Sequence, residues 1–311
     1  MSTIIQVDHL SKYYNDIKAV NDLSFSVNQG EIYGFLGQNG AGKSTTIRIL
    51  LTLIKPTQGT IQVFGADLFA HRKEILRQIG AIIEKPDLYK YLTALENLSI
   101  FAKLSGIRPT RDQLMDQLEM VGLKNRMNSK IRTYSQGMKQ RLGIAVALIH
   151  DPKLIILDEP TNGLDPQGIA DMRNLILQLS KQRGKTIFVS SHLLSEIEMI
   201  ADKMLILDKG QKVVEGSVRE LFDSSKILLE LEVNNPDTIY KQLLAGSWAQ
   251  YVKERHGNLI KFQLSKEKIP LLHAHLVSIG AEVMALRPRH SLEDYFLSLT
   301  TANQHVDSFQ N

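Results

Sequence analysis

Nine consecutive residues carry the most specific chemistry in this chain: Gly37-Gln38-Asn39-Gly40-Ala41-Gly42-Lys43-Ser44-Thr45. They fit the spacing G-x-x-x-x-G-K-[ST] and lie between an apolar, strand-like run over 31–36 and a helix-like run over 46–54. Glycine lets the backbone curl until successive N–H groups aim at phosphate oxygens, an approach that a Cβ would obstruct. In such a loop Lys43 reaches the β- and γ-phosphates and the Ser44 hydroxyl can ligate Mg²⁺. The helix that follows points its positive end at the same anion. The pattern predicts binding of a nucleoside triphosphate.

Two further apolar runs end in groups able to act on that triphosphate. Leu154-Ile155-Ile156-Leu157-Asp158-Glu159-Pro160 has the composition of a central parallel strand covered on both faces, and it delivers two carboxylates at its end. Asp158 would hold Mg²⁺ through water, and Glu159 would polarise the attacking water as general base. Thr186-Ile187-Phe188-Val189 is a second buried strand and leads into Ser190-Ser191-His192. Ligands of open α/β sheets sit at the carboxyl edge, so His192 is read as a γ-phosphate contact that orients water. A segment beginning Tyr134-Ser135-Gln136-Gly137 opens a helix through 149 with Ser135 as N-cap. By itself it reads first as a capped helix; its hydroxyl and glycine amide also suit an anion. Tyr14, in the polar and turn-prone stretch 12–16, could stack on a nucleobase or be an ordinary surface tyrosine.

Positioning these groups requires an α/β framework. Ile5, Val7, Leu23, Phe25 and Val27 alternate with polar residues, the period of half-buried antiparallel strands, and 61–64 forms another strand. Residues 92–150 read as a helical subdomain, with Leu95, Leu98, Phe101 and Leu104 at helical spacing and Thr93 with Glu96 as a capping box. An amphipathic helix spans 166–183 from Pro166 in its first turn, and a hairpin turns around Lys209-Gly210. From residue 223 the pattern becomes βαββαβα, with the last helix over 291–299, which predicts a small ferredoxin-like α+β domain. His273 and His275, two apart on a helix, face different ways and make a poor metal pair, and Trp248 is expected to pack.

Bulk composition narrows the class. Hydrophobic residues are 43% and charged residues 23% of 311, an ordinary globular balance with room for two domains. Lys plus Arg exceed Asp plus Glu by only 37 to 33, and no basic stripe with interleaved aromatics stands out, so nucleic acid is not expected as a partner. The absence of cysteine excludes disulfides and thiolate metal sites and fits a reducing compartment. The N-terminus lacks the blocks of a signal peptide, and nowhere do roughly 18 apolar residues run together, so this chain is not expected to cross a membrane.

Taken together the pieces resemble the ATP-binding subunit of ABC transporters over about residues 3–222. Gly37 to Thr45 is the phosphate loop, and Tyr134-Ser135-Gln136-Gly137-Met138-Lys139 stands where the family's LSGGQ-type motif stands. Leu157 to Pro160 matches the Walker B end, Gly163-Leu164-Asp165-Pro166 the D-loop, His192 the switch histidine and Tyr14 the adenine-stacking aromatic. Two positions depart from the pattern: Glu84 replaces the Q-loop glutamine, and Gln136 replaces the first glycine of the LSGGQ-type motif. Glu84 could still touch Mg²⁺ or the lytic water, at the cost of a negative charge near the phosphates. The segments 84–98 and 134–142 look like the bacitracin-export and lantibiotic-immunity branch, and 291–297 is similar to the C-terminal extension of drug-exporter ATPases.

The resemblance implies a P-loop NTPase core with an antiparallel β subdomain and an α-helical subdomain over about 92–150, within a domain spanning 1–222, followed by an α+β domain over 223–311. It implies a homodimer that sandwiches two ATP molecules with Mg²⁺, in which Ser135 and Gly137 of one copy complete the site of the other and Asp165 is counted among the nucleotide-binding residues. It also implies a transmembrane permease partner docked near 84–97, a place on the cytoplasmic face of the membrane, and export of an antibiotic peptide, drug or lipid-like molecule. A soluble ABC-type ATPase acting on a ribosome or DNA is the alternative. It fits less well, because this chain has one phosphate loop and no sustained heptads. A nucleotide-binding scaffold without hydrolysis conflicts with the presence of Lys43, Asp158, Glu159 and His192.

Overall fold

The computed structural model describes residues 2–221 and 227–289, which divide into two compact units at the boundary between Val218 and Arg219. The first unit opens with β1 (Thr3–Tyr14) and β2 (Ile17–Asn28), then sends β3 (Ile32–Gly37) into a different sheet. After α1 (Lys43–Leu50) the chain returns with β4 (Gln58–Val63) and β5 (Ala66–Asp67), completing an antiparallel sheet of order β2-β1-β4-β5. Val7 stands opposite both Phe25 and Ile61, so the alternation seen in the sequence turns one face of this sheet inward. The hairpin is longer than expected. Lys12, Tyr13 and Tyr14 pair within it after a series of bulges, and only Asn15 and Asp16 make the turn, Asn15 at φ 49°.

The second sheet holds the chemistry. It contains β6 (Ile79–Ile82), β7 (Leu154–Asp158), β8 (Thr186–Ser191), β9 (Lys203–Asp208) and the antiparallel edge strand β10 (Gln211–Ser217), in the order β10-β9-β3-β8-β7-β6. Every residue of β3, β7 and β8 is buried, as parallel strands covered on both faces require. Phe25 of the antiparallel sheet stacks on Tyr33 of β3 and packs at a tilt against Phe35 of β3 and Phe188 of β8, with centroids 5.6–6.0 Å apart. These rings join the two sheets into one core. The shift from antiparallel to parallel order places β3 beside β8, and the strand ends that carry the motifs come level.

Between β6 and β7 runs the helical part: α2 (Arg72–Leu76) just before β6, then α3 (Ala94–Leu104), α4 (Arg111–Met120) and α5 (Gln136–Ala147). Thr93 Oγ1 accepts the Glu96 N–H at 3.2 Å and the Glu96 carboxylate accepts the Thr93 N–H at 2.7 Å, the reciprocal cap expected there. Buried Asn97 holds the preceding loop: its amide donates to the carbonyls of Tyr89 and Thr93 and accepts the Tyr89 N–H at 2.8 Å. Beyond β7, α6 (Pro166–Lys181) starts at Pro166 and stops two residues short of the expected end, and α7 (Leu194–Glu198) follows β8. α8 (Val218–Leu221) comes after β10.

The second unit alternates β11 (Ile227–Val233), α9 (Pro236–Ala245), β12 (Val252–His256), β13 (Leu259–Leu264), α10 (Ile269–Ser278) and β14 (Val283–Arg289). Its four strands form one antiparallel sheet of order β12-β13-β11-β14. Leu229 faces Phe262 and Leu231 faces Ile260, and these pack with Leu243 of α9 and Leu276 of α10. Trp248 lies partly buried against this core, 5.6 Å from Tyr251. The helix expected over 291–299 lies outside the described residues.

Candidate active site

β3 ends at Gly37, and the loop that follows is built on two left-handed glycines, Gly40 at φ 83° and Gly42 at φ 108°. A Cβ on Gly42 would stand 2.4 Å from the Ala19 carbonyl oxygen, so no other residue type fits there. α1 begins directly at Lys43, three residues earlier than the apolar pattern suggested, because Gly42 caps it in left-handed geometry. The helix stops at Leu50, near Thr52 at φ 56°. Its first turn contains Ser44 and Thr45, and its free N–H groups face out of the loop. Lys43 is folded back over the loop: its ammonium donates to the carbonyls of Gly37 (2.7 Å) and Gln38 (3.1 Å).

The neighbouring strands bring the acids to the same level. Phe35 pairs with Ser190, and Ser190 pairs with Asp158, so β3, β8 and β7 terminate side by side. The Ser190 hydroxyl donates to Asp158 Oδ1 at 2.6 Å and accepts the Glu159 N–H at 2.9 Å. That bond steadies Glu159, whose backbone lies in the left-handed region at φ 48°. The unusual turn rotates the Glu159 side chain away from the strand and over Lys43. One carboxylate oxygen stands 3.1 Å from the Lys43 ammonium and the other 2.8 Å from His192 Nδ1. Lys43 is 4% exposed and Glu159 18%, so these charges act on each other with little screening.

A cleft of about 550 Å³ opens beside this cluster, and Asn39, Ser44, Glu84, Gln136, Asp158 and Glu159 are among its lining residues. Glu84, at φ 59°, turns its carboxylate to the Arg48 guanidinium at 2.8 Å. Sequence inspection missed Arg48 as a partner, since 36 residues separate the two and nothing local signals the pair. Ser190 was passed over too, although it stands two residues before His192, the only residue of that segment given a role. Ser135 caps α5 by accepting the Met138 N–H at 3.2 Å, leaving its own O–H for an outside acceptor. Gly137 next to it is bare: an added Cβ would find its nearest neighbour, in Leu164, 3.9 Å away. Asp165 caps α6 through the Gly168 N–H and does not line the cleft. Tyr14 sits at the hairpin end, 45% exposed, with the Lys12 ammonium 4.9 Å from its ring. The structure thus gathers Lys43, Ser44, Glu84, Asp158, Glu159 and His192, and leaves Tyr14, Asp165, Ser135 and Gly137 outside that group.

The donor set suits a hard dication. Among the described residues no three His, Cys, Asp or Glu side chains converge, so an all-protein cage is not what this site offers. Asp158 Oδ2, however, is buried without a hydrogen-bond partner, and Ser44 lines the same cleft. Mg²⁺ characteristically takes one or two protein oxygens and completes its shell from phosphates and water, which matches this pair.

Comparison with known proteins agrees with the geometry. The ABC transporter family pattern matches residues 20–162. The chain is 44% identical to the bacitracin transport ATP-binding protein BcrA of Bacillus licheniformis, over 96% of this chain and 98% of that protein. It is 40% identical to the lantibiotic transport ATP-binding protein SrtF of Streptococcus pyogenes, over 73% of this chain and 95% of that one. Among solved structures, an ATP-binding subunit of an ABC transporter superposes with a TM-score of 0.63 at 33% identity, over 71% of this chain and 92% of that one. A dimeric ATP-binding cassette in a post-hydrolysis state with ADP and Pi gives 0.62 at 26% identity, over 70% and 99%. A phosphate loop, a paired acid and a histidine on adjoining strand ends, together with whole-length likeness to such subunits, lead to one conclusion: this chain belongs to the ABC transporter family as an ATP-binding, ATP-hydrolysing subunit.

Proposed function

We propose that two copies of this chain clamp two ATP molecules head to tail and spend their hydrolysis on exporting a peptide antibiotic or a similar amphipathic compound through a separate membrane subunit. The observation that carries the reading is the placement of Glu159 between Lys43 and His192, beside the partnerless oxygen of Asp158. A triphosphate entering the loop draws the Lys43 ammonium to its β- and γ-oxygens, which frees Glu159 to accept a proton from water. His192 holds the water and the γ-phosphate in line. Mg²⁺ held by Ser44 and Asp158 would neutralise charge on the phosphates. Ser135 and Gly137 of the second copy, at the amino end of its α5, close the open side of the γ-phosphate and exclude water. Asp165 belongs to the same contact, Tyr14 stacks on the adenine, and Glu84, held by Arg48, replaces the usual glutamine as a polar contact at the rim.

Support for a transport role comes from the bacitracin and lantibiotic transport relatives, and support for the two-copy clamp from the dimeric form of the solved cassette. Among the described residues no helix is long and apolar enough to cross a membrane, which fits a substrate path carried by another subunit. Tyr89 and Tyr91 are 51% and 78% exposed beside the loop that Asn97 stiffens, a surface suited to that subunit at the cytoplasmic face. The strand order and βαββαβ succession of residues 227–289 support a ferredoxin-like α+β domain with an accessory role.

The test is Glu159→Gln. ATP affinity should persist, turnover should fall by roughly 10²–10⁴, and an ATP-bound dimer should accumulate on size-exclusion chromatography. Turnover near wild type removes Glu159 as the base.

A further inference from the structure

Behind the catalytic histidine lies a second set of polar contacts with no place in the mechanism so far. Glu196 of α7 is half-buried, and its Oε2 accepts from two hydroxyls: Thr161 Oγ1 at 2.5 Å and Ser191 Oγ at 3.1 Å. Ser191 in turn accepts the Leu193 N–H at 3.0 Å. Its hydroxyl therefore shapes the tight turn that carries His192. Thr161 stands two residues after Glu159, in the loop that runs on through Gly163 to Asp165. One carboxylate oxygen thus fastens the segment bearing the base to the segment bearing the histidine, in addition to the His192–Glu159 contact.

We propose that Glu196 is a positioning residue for hydrolysis, which sets the His192 ring against Glu159 by orienting the Ser191 hydroxyl and anchoring Thr161. The inference rests on the roles given above to Glu159 and His192. Three features favour it over a purely structural contact. Glu196 of α7 ties Thr161, in the loop after β7, to Ser191, the last residue of β8, and neither side-chain contact belongs to the sheet ladder. The small cavity beside it exposes mostly apolar atoms, with Pro160, Ile169, Val189 and Ile197 as well as Arg173 in its lining, so water makes a poor substitute for the carboxylate. Finally, without the carboxylate the Thr161 hydroxyl loses its acceptor and the Ser191 hydroxyl keeps only the long 3.4 Å contact to the Leu193 carbonyl, so the turn it supports loosens.

The experiment uses the full chain and steady-state ATPase kinetics, with turnover counted per nucleotide-binding site so that misfolded protein does not contribute. Glu196→Ala should lower kcat about tenfold and leave KM for ATP unchanged. Glu196→Gln, which keeps an oxygen for both hydroxyls, should recover to within about twofold of wild type. Thr161→Val should cost a similar factor, and combining it with Glu196→Ala should add little, since both cut the same link. In a His192→Ala background Glu196→Ala should have no further effect. Unchanged kcat in Glu196→Ala, equal damage from Gln and Ala, or a full additional loss on top of His192→Ala each overturns the proposal. If His192→Ala alone leaves turnover intact, the failure lies instead in the role assigned to the histidine.

Discussion

The two edges of the parallel sheet both collect buried charge, and they treat it in opposite ways. At the amino edge Glu215 of β10 accepts from the Tyr33 hydroxyl at 2.9 Å and pairs with Lys203 and Lys212 at 2.6 and 2.8 Å. Asp202 beside it takes the Ile32 N–H and the Lys181 ammonium. Burial pushes the Tyr33 hydroxyl well above its ordinary pKa, and the Glu215 charge reinforces the shift. Burial alone would raise Glu215, yet the two lysines and the tyrosine outweigh it and hold that carboxyl below its ordinary value. At the carboxyl edge Lys43 and Asp158 are buried more deeply than the amino-edge lysines, yet Asp158 keeps one oxygen without a partner. A saturated polar network stabilises; an unsaturated one keeps capacity for a ligand. The contrast separates a structural charge cluster from a site without appeal to relatives.

The largest effect expected from this contrast is at the carboxyl edge. Lys43→Ala should reduce ATP turnover by more than about 10³-fold while the fold persists, as circular dichroism would show. Retained turnover would mean that the loop lysine is as structural as Lys203. Glu215→Ala reverses the pattern: it leaves the Tyr33 phenol without its acceptor and the Lys203 and Lys212 ammonium groups with only the Ser26 and Ser24 carbonyls, so it should lower stability by about 1–3 kcal/mol in urea titration with kcat unchanged. Loss of activity without loss of stability there would break the comparison. The smaller prediction has the opposite sign. Asp158→Asn removes a buried charge with an unmet partner and should abolish hydrolysis yet raise Tm by roughly 2–4 °C without ligand. A lowered Tm would show that Asp158 is already satisfied.

Acidity distinguishes the edges as well. Because the folded Glu215 carboxyl lies below its unfolded value, its stabilising effect is complete above the ordinary glutamate range and is lost as pH falls through and below that range. Acid titration of stability in Glu215→Gln should lose this component, and an unaltered slope would remove Glu215 from the amino-edge network.

Sequence alone exposed what is local. β7 and β8 were readable because unbroken apolar runs mark buried parallel strands, and Thr93 with Glu96 because the cap closes over three residues. The phosphate loop was readable because its backbone demands glycine at fixed spacing. The Ser190 clasp depends on β7 and β8 being paired in one register, a property no single strand carries. The same holds for Arg48 with Glu84 and for Glu196 with Thr161, which are 36 and 35 residues apart. The hairpin was underestimated because bulges at several points of β1 break the two-residue period that alternation relies on. In the second unit the strand and helix order over 227–289 was legible, and Pro236 opens α9 in its first turn.

The backbone at Glu159 carries a cost that bears on the history of such chains. A left-handed φ of 48° on a side chain of this size is held at an expense of order 1 kcal/mol, which glycine or asparagine would escape. A descendant released from the need to cleave ATP would therefore gain robustness by drifting to one of those two residues. Within such a lineage, small residues at this position would mark gene copies that have become sensors or scaffolds, while an acid would mark those still at work.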